Sequence, residues 1–97
     1  MARTPIHPGE ILADEIDARA GLTKTELARL IGVPPGRISE IIAGKRAITA
    51  DTALRLARYF GTTPQFWMNL QANYELELAQ DARGAEIASR IAPHRAA

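Results

Sequence analysis

The chain has 97 residues, 46% of them hydrophobic and 24% charged, with a net charge of +1, which is enough for one small globular domain with one core. It holds no cysteine, which excludes disulfides, thiolate metal sites and cysteine nucleophiles. No apolar run approaches the ~18 residues of a membrane span and "MARTPIHPGE" lacks the apolar centre of a secretory signal, so the expected location is the cytoplasm.

No stretch rich in Val, Ile and Thr alternates with period two, so the pattern predicts an all-α chain. An N-terminal arm, residues 1–6, precedes a domain over residues 7–80. Its first helix is expected over Pro8–Ala20, with Pro8 in the first turn, Glu10, Asp14 and Glu15 toward the positive end of the dipole, and Gly21 as a left-handed terminator. Ile11, Leu12 and Ile16 give it one apolar face. A second helix starts at Thr23, where "TKTE" reads as a capping box between Thr23 and Glu26. Leu27, Ala28, Leu30 and Ile31 form its apolar stripe, and Gly32 stops it.

A third helix is expected over Pro35–Ala43, with Ile38, Ile41 and Ile42 sharing one face and Gly44 ending it. The fourth spans Ala50–Phe60, capped by Thr49, with Ala53, Leu56, Ala57 and Phe60 inward and Gly61 after it. The fifth opens with Thr63 and Pro64 and runs to about Gln80. It carries two apolar stripes, Trp67–Leu70–Tyr74–Leu78 and Met68–Ala72–Leu76–Ala79. A surface helix on a small domain needs one buried stripe, so the second needs a partner. In the tail, residues 81–97, Ile87 and Ile91 mark a short sixth helix near Ala85–Ile91.

All five aromatics, Tyr59, Phe60, Phe66, Trp67 and Tyr74, lie within sixteen positions and read as core or dimer packing rather than a base-stacking platform. Charge is uneven. Residues 19–58 hold eight cations against Glu26, Glu40 and Asp51, a local net charge of +5, while residues 1–18 are acidic. A basic middle between acidic flanks suits a polyanion on one face. The titratable groups argue against an enzyme: His7 and His94 lie near opposite ends, and no nucleophile–base pair or glycine-rich phosphate loop is present. His7 and Glu10 have a spacing that suits a metal, but an acidic helix start explains them as well. No cofactor motif is found.

Two short helices joined by a tight glycine-containing turn, residues 23–43, form a helix-turn-helix arrangement, whose second helix enters the major groove while the first crosses the phosphates. The run "LTKTELARLIGVPPGRISEIIAGKRAITADTALRLARYFGTTPQFW" resembles the phage-repressor-like helix-turn-helix (XRE) superfamily. With "HPGEIL" before it and "TTPQFWMNLQ" at its end, the chain is similar to the HigA-type antitoxins of bacterial toxin–antitoxin modules over residues 5–80. The resemblance implies a five-helix domain that works as a homodimer, represses its own operon by binding double-stranded operator DNA, and neutralises a HigB-type ribonuclease toxin. A stand-alone XRE regulator with no toxin would carry the same DNA chemistry.

At ~100° per residue, taking Ile38 as inward turns Gly36, Glu40 and Ala43 outward, with Arg37 and Ser39 flanking. Pro34, Pro35 and Gly36 leave a bare start that lets the helix end approach base edges. The expected base contacts are therefore Gly36, Arg37, Ser39 and Glu40. Arg37 suits guanine O6 and N7, while Glu40 either accepts from a cytosine amino group or pairs with Arg37 or Lys45. Thr23, Lys24 and Thr25 at a helix N-terminus, and Lys45 and Arg46 after Gly44, are the expected phosphate contacts. Arg29 is a weaker candidate, and Arg55 and Arg58 read as solvated or interface residues. Met68, Ala72, Leu76 and Ala79 form the expected dimer surface.

Overall fold

The computed structural model describes residues 4–95, so Met1–Arg3 of the expected arm and the last two residues of the tail lie outside the described part. It contains five helices and, among the described residues, no strand: α1 (Pro8–Asp17), α2 (Lys24–Ile31), α3 (Arg37–Ile42), α4 (Ala50–Phe60) and α5 (Pro64–Arg90). Three are started by threonine caps. Thr23, Thr49 and Thr63 accept from the backbone N–H groups of Glu26, Thr52 and Phe66 at 3.1, 3.4 and 3.1 Å. Gly32 and Gly61, both at φ 75°, close α2 and α4 in the left-handed region where a Cβ is disfavoured.

Several boundaries differ from the sequence pattern. The cap of α1 is His7: its Nδ1 accepts from the Gly9 N–H at 2.9 Å, and the Glu10 carboxylate accepts from the His7 N–H at 3.0 Å. The two residues spaced like metal ligands close each other's cap instead. Helix α1 stops at Asp17 rather than Ala20, because the chain turns as the Arg19 N–H donates to the Ile16 carbonyl (3.1 Å) and the Arg19 guanidinium settles 4.5 Å over the Phe60 ring. Gly21, at φ 80°, belongs to the turn leading into α2. Helix α3 begins at Arg37 rather than Pro35. The two prolines instead form a turn closed by the Arg37 N–H on the Pro34 carbonyl at 2.9 Å, as the restriction on a residue before proline favours.

The largest difference is in α5, which runs unbroken for 27 residues and absorbs the expected sixth helix. Gly84 costs about 1 kcal/mol relative to alanine. Its neighbours Ala82, Arg83, Ala85 and Glu86 are helix formers; Glu86 pairs across it with Arg83 (3.2 Å) and, one turn further on, with Arg90 (3.7 Å). The helix is ~40 Å long at 1.5 Å per residue and outruns the core, giving a molecule 57 Å long but only 30 and 21 Å across.

The core is the joint inner face of all five helices: Leu12 and Ile16, Leu27 and Ile31, Ile38 and Ile41, Leu56 and Trp67, with Ile48 from the loop before α4. Trp67 is wholly enclosed, and its indole N–H donates to the Thr62 hydroxyl at 2.8 Å. Leu30 does not join it. It is 46% exposed at the rim beside Arg58 and Tyr59. Leu78 on α5 is likewise exposed, since the helix has left the core by that point.

Two contacts fix where α3 sits. Gly9 in α1 is buried against the α3 backbone so closely that a Cβ there would lie 2.1 Å from the Ile41 carbonyl oxygen and 2.8 Å from the Ile42 Cα. From the other side, the Arg55 guanidinium in α4 donates to the Ile31 and Gly32 carbonyls (2.8 and 3.3 Å), holding the end of α2 and the turn after it, while its Nε donates to Asp51 (2.9 Å). Arg55 is thus a clamp on the turn between α2 and α3, although its side chain stays partly solvated.

The Gly9→Ala variant is expected to lose about 1–3 kcal/mol of stability, as overpacking against rigid backbone does, measured by urea unfolding. Arg55→Met, which keeps the aliphatic stem, is expected to cost about 1 kcal/mol in the same assay, the loss being limited because the guanidinium is partly solvated.

Candidate nucleic-acid interface

With Ile38 and Ile41 fully buried, the opposite side of α3 faces solvent. Gly36, Ser39 and Glu40 are exposed and Arg37 is half-buried, as the helical projection predicts. A Cβ on Gly36 would meet nothing within 4 Å and its φ is −85°, so the fold itself does not require glycine there. The missing side chain leaves the start of α3 open to a close-approaching ligand.

Helix α3 ends in a Schellman motif: Gly44, at φ 76°, donates to the Ile41 carbonyl at 3.0 Å, and the Lys45 N–H reaches back to Glu40 at 2.9 Å. This turns Lys45 and Arg46 outward immediately after the helix, and both are exposed. The structure brings two of the expected contact residues together, since the Arg46 Nε lies 3.1 Å from the Glu40 carboxylate. The partner of Glu40 is therefore Arg46, and neither Arg37 nor Lys45.

At the start of α2, Thr23 is occupied as a cap, while Lys24 and Thr25 are exposed with their backbone N–H groups in the first turn. The expected capping box is only half formed, because Glu26 turns its carboxylate to Arg29 instead. The hydrogen bond from Arg29 holds the Glu26 carboxyl below the usual glutamate range, and the carboxylate in turn raises Arg29.

These pairings decide the electrostatics of the surface. Glu26, Glu40 and Asp51, the three anions of the basic segment, are each committed to an arginine: Arg29, Arg46 and Arg55. Within the basic segment, residues 19–58, Lys24, Arg37, Lys45 and Arg58 have no ion-pair partner. Three of those four sit at the start of α2, on α3 and in the loop after it.

The second stripe of α5 is uncovered. Leu76 is 69% exposed, Ala72 and Ala79 are exposed, and Met68 packs partly on the core. Met68, Ala72 and Leu76 line a groove with Gln71 and Glu75, and beyond Leu76 a second groove continues past Ala79 to Gly84, Ile87 and Ala88. The extension to Ile87 was hidden from the sequence by the expected break at Gln80. Sequence reasoning also missed Gly9, Arg55 and Gln71, whose partners are backbone groups remote in the chain.

The sequence matches the helix-turn-helix family over residues 16–67. It is 52% identical to virulence-associated protein I of Dichelobacter nodosus, over 84% of this chain and 77% of that protein. An addiction module antidote protein of the HigA family from Coxiella burnetii has the same fold, at 46% identity and a TM-score of 0.92, covering 95% of this chain and all of that one. The Pseudomonas aeruginosa antitoxin HigA, solved with the higBA promoter, gives 45% identity and a TM-score of 0.87 over 94% of this chain and 99% of that one. A helix-turn-helix with an unneutralised cationic face and likeness over nearly its whole length to these antitoxins place the chain plainly: it belongs to the helix-turn-helix family and, within it, to the HigA-type antitoxins.

Proposed function

We propose that this chain is a sequence-specific DNA-binding repressor that acts as the antitoxin of a toxin–antitoxin module. The observation that carries the reading is the charge arrangement: each of the three anions of the basic segment is paired with an arginine, while Lys24, Arg37 and Lys45 are left free around a helix whose outer face is uncovered. Its relative, the Pseudomonas aeruginosa antitoxin HigA, is solved with the higBA promoter, which supports duplex DNA as the ligand. The family is one of DNA-binding regulators, and we read the chain as having no catalytic activity of its own. None of its described helices is long and apolar enough to cross a membrane.

In this reading α3 lies in the major groove with Arg37 bidentate on guanine, Ser39 adapting to a neighbouring base, and Gly36 letting the helix end approach. Lys45 and Arg46 meet backbone phosphates, as do the first-turn N–H groups behind Thr23, Lys24 and Thr25. Glu40 has a second task beside any base contact. Paired with Arg46, it holds the loop against the recognition helix and lowers the positive charge facing the phosphates. Two chains joined through Met68, Ala72, Leu76 and Ala79 present two α3 helices to successive major grooves, about 34 Å apart on a near-palindromic operator. A cognate HigB-type toxin is the further partner, and growth rescue on co-expression tests it.

Binding of operator and scrambled duplexes across a salt series tests the assignments. Arg37→Ala is expected to lose about 1–3 kcal/mol of discrimination at one base position. Lys45→Ala is expected to weaken all sequences alike and reduce the salt slope by about 0.9. Glu40→Ala frees Arg46, so binding to scrambled DNA is expected to strengthen and its salt slope to steepen. Operator binding unchanged in both Arg37→Ala and Lys45→Ala contradicts the placement of the interface. Leu76→Asp is expected to convert the dimer to monomer in sedimentation and to abolish tight binding to the two-half-site operator, while single-half-site binding persists.

A further inference from the structure

Among the described residues two polar side chains are buried in the core, Thr52 and Gln71. Thr52 belongs to the start of α4, where it hydrogen-bonds Thr49. Gln71 has no such local task. It lies on α5, 5% exposed, and its Oε1 accepts from the Ile48 backbone N–H at 2.8 Å across 23 positions of chain. Its Nε2 donates to Glu75 Oε2 at 2.9 Å. The carboxylate of Glu75 cannot donate, so only one orientation of the carboxamide satisfies both partners.

Ile48 is the far end of the loop that leaves α3. The near end is fixed by the Schellman hydrogen bonds of Gly44 and Lys45 onto α3, and the far end by the buried Ile48 side chain and by Gln71. Between these anchors lie Lys45, Arg46 and Ala47, all exposed.

We propose that Gln71 is a positioning residue for DNA binding: its carboxamide holds the Lys45–Arg46 loop at the height from which both cations meet phosphates. This rests on the reading of Lys45 and Arg46 as phosphate contacts. Gln71 and Glu75 also line the groove beside Met68 and Leu76, so one hydrogen-bonded pair stands between the dimer face and the phosphate contacts. Without the acceptor, the Ile48 N–H is buried and unpaired, and the loop must shift to reach water. Helix α3 is held separately by Gly9, Ile38 and Ile41, so its base preference stays unchanged.

The test is fluorescence-anisotropy titration of operator and scrambled duplexes over a salt series, with melting temperature and Ile48 amide exchange measured on each protein. Gln71→Met is expected to bind both duplexes about tenfold more weakly near physiological salt, with the salt slope reduced by about one to two, unchanged operator preference, and faster Ile48 exchange. The double variant Gln71→Glu with Glu75→Gln keeps an acceptor for Ile48 and reverses the donor within the pair, so it is expected to restore the wild-type slope. Should Gln71→Met fail to fold, Gln71→Asn, which stays polar but is too short to reach the Ile48 N–H, is read instead, and a reduced slope is expected there too. A wild-type slope in the variant that is read, or a folded double variant whose slope stays shallow, overturns the inference. A wild-type protein that prefers neither duplex overturns the DNA-binding reading and takes this inference with it, whereas wild-type binding with an unchanged slope in Gln71→Met overturns this inference alone.

Discussion

Everything on the candidate DNA surface depends on how closely α1 lies on α3. Gly9 meets the Ile41–Ile42 backbone with no room for a side chain, so the two helices approach at backbone distance. Helix α3 has only six residues and would not persist alone in water. It is held by burial instead: Ile38 and Ile41 are wholly enclosed, each contributing about 1.5–3 kcal/mol. Once that face is fixed inward, 3.6-residue geometry leaves Gly36, Ser39 and Glu40 nowhere to point but outward. The outer face of the recognition helix is thus a consequence of packing on its inner face.

Charge is then arranged on this frame by pairing rather than by number. The chain carries a net charge of only +1, yet Glu26, Glu40 and Asp51 are committed to Arg29, Arg46 and Arg55. Exposed pairs of this kind add little to stability. Their larger effect is on where positive potential remains, namely at Lys24, Arg37 and Lys45. Arg55 combines the two levels, pairing with Asp51 while its guanidinium holds the α2 carbonyls that set the turn before α3.

Much of this was legible in the sequence because helix ends are written in local chemistry. Thr23, Thr49 and Thr63 start helices and Gly32 and Gly61 stop them, within the chain segment that each residue itself occupies. The isoleucine spacing in "RISEII" named the inner face of α3, and by subtraction the outer one. What stayed hidden is non-local. Gly9 reads as an ordinary first-turn residue until α3 lies on it, and Gln71 and Arg55 serve backbone groups more than twenty positions away. The sequence pattern ended the fifth helix near Gln80 and placed a separate short one near Ala85–Ile91, whereas the helix runs through to Arg90, with local helix formers and the Glu86 pairs on its last turns. Leu30 was misplaced because a stripe four residues wide exceeds what α3 and α4 can cover.

The account's central claim is that the uncovered face of α3, with the N-terminus of α2 and the loop after Gly44, is where duplex DNA sits. Amide chemical-shift mapping of the labelled protein during titration with its operator duplex tests this most directly. The claim predicts the largest shifts at Lys24, Thr25, Gly36 through Glu40, Lys45 and Arg46, with Asp14 and Asp17 on the acidic outer side of α1 unmoved. Shifts concentrated on α1 or on the far end of α5, with the α3 amides silent, would contradict it.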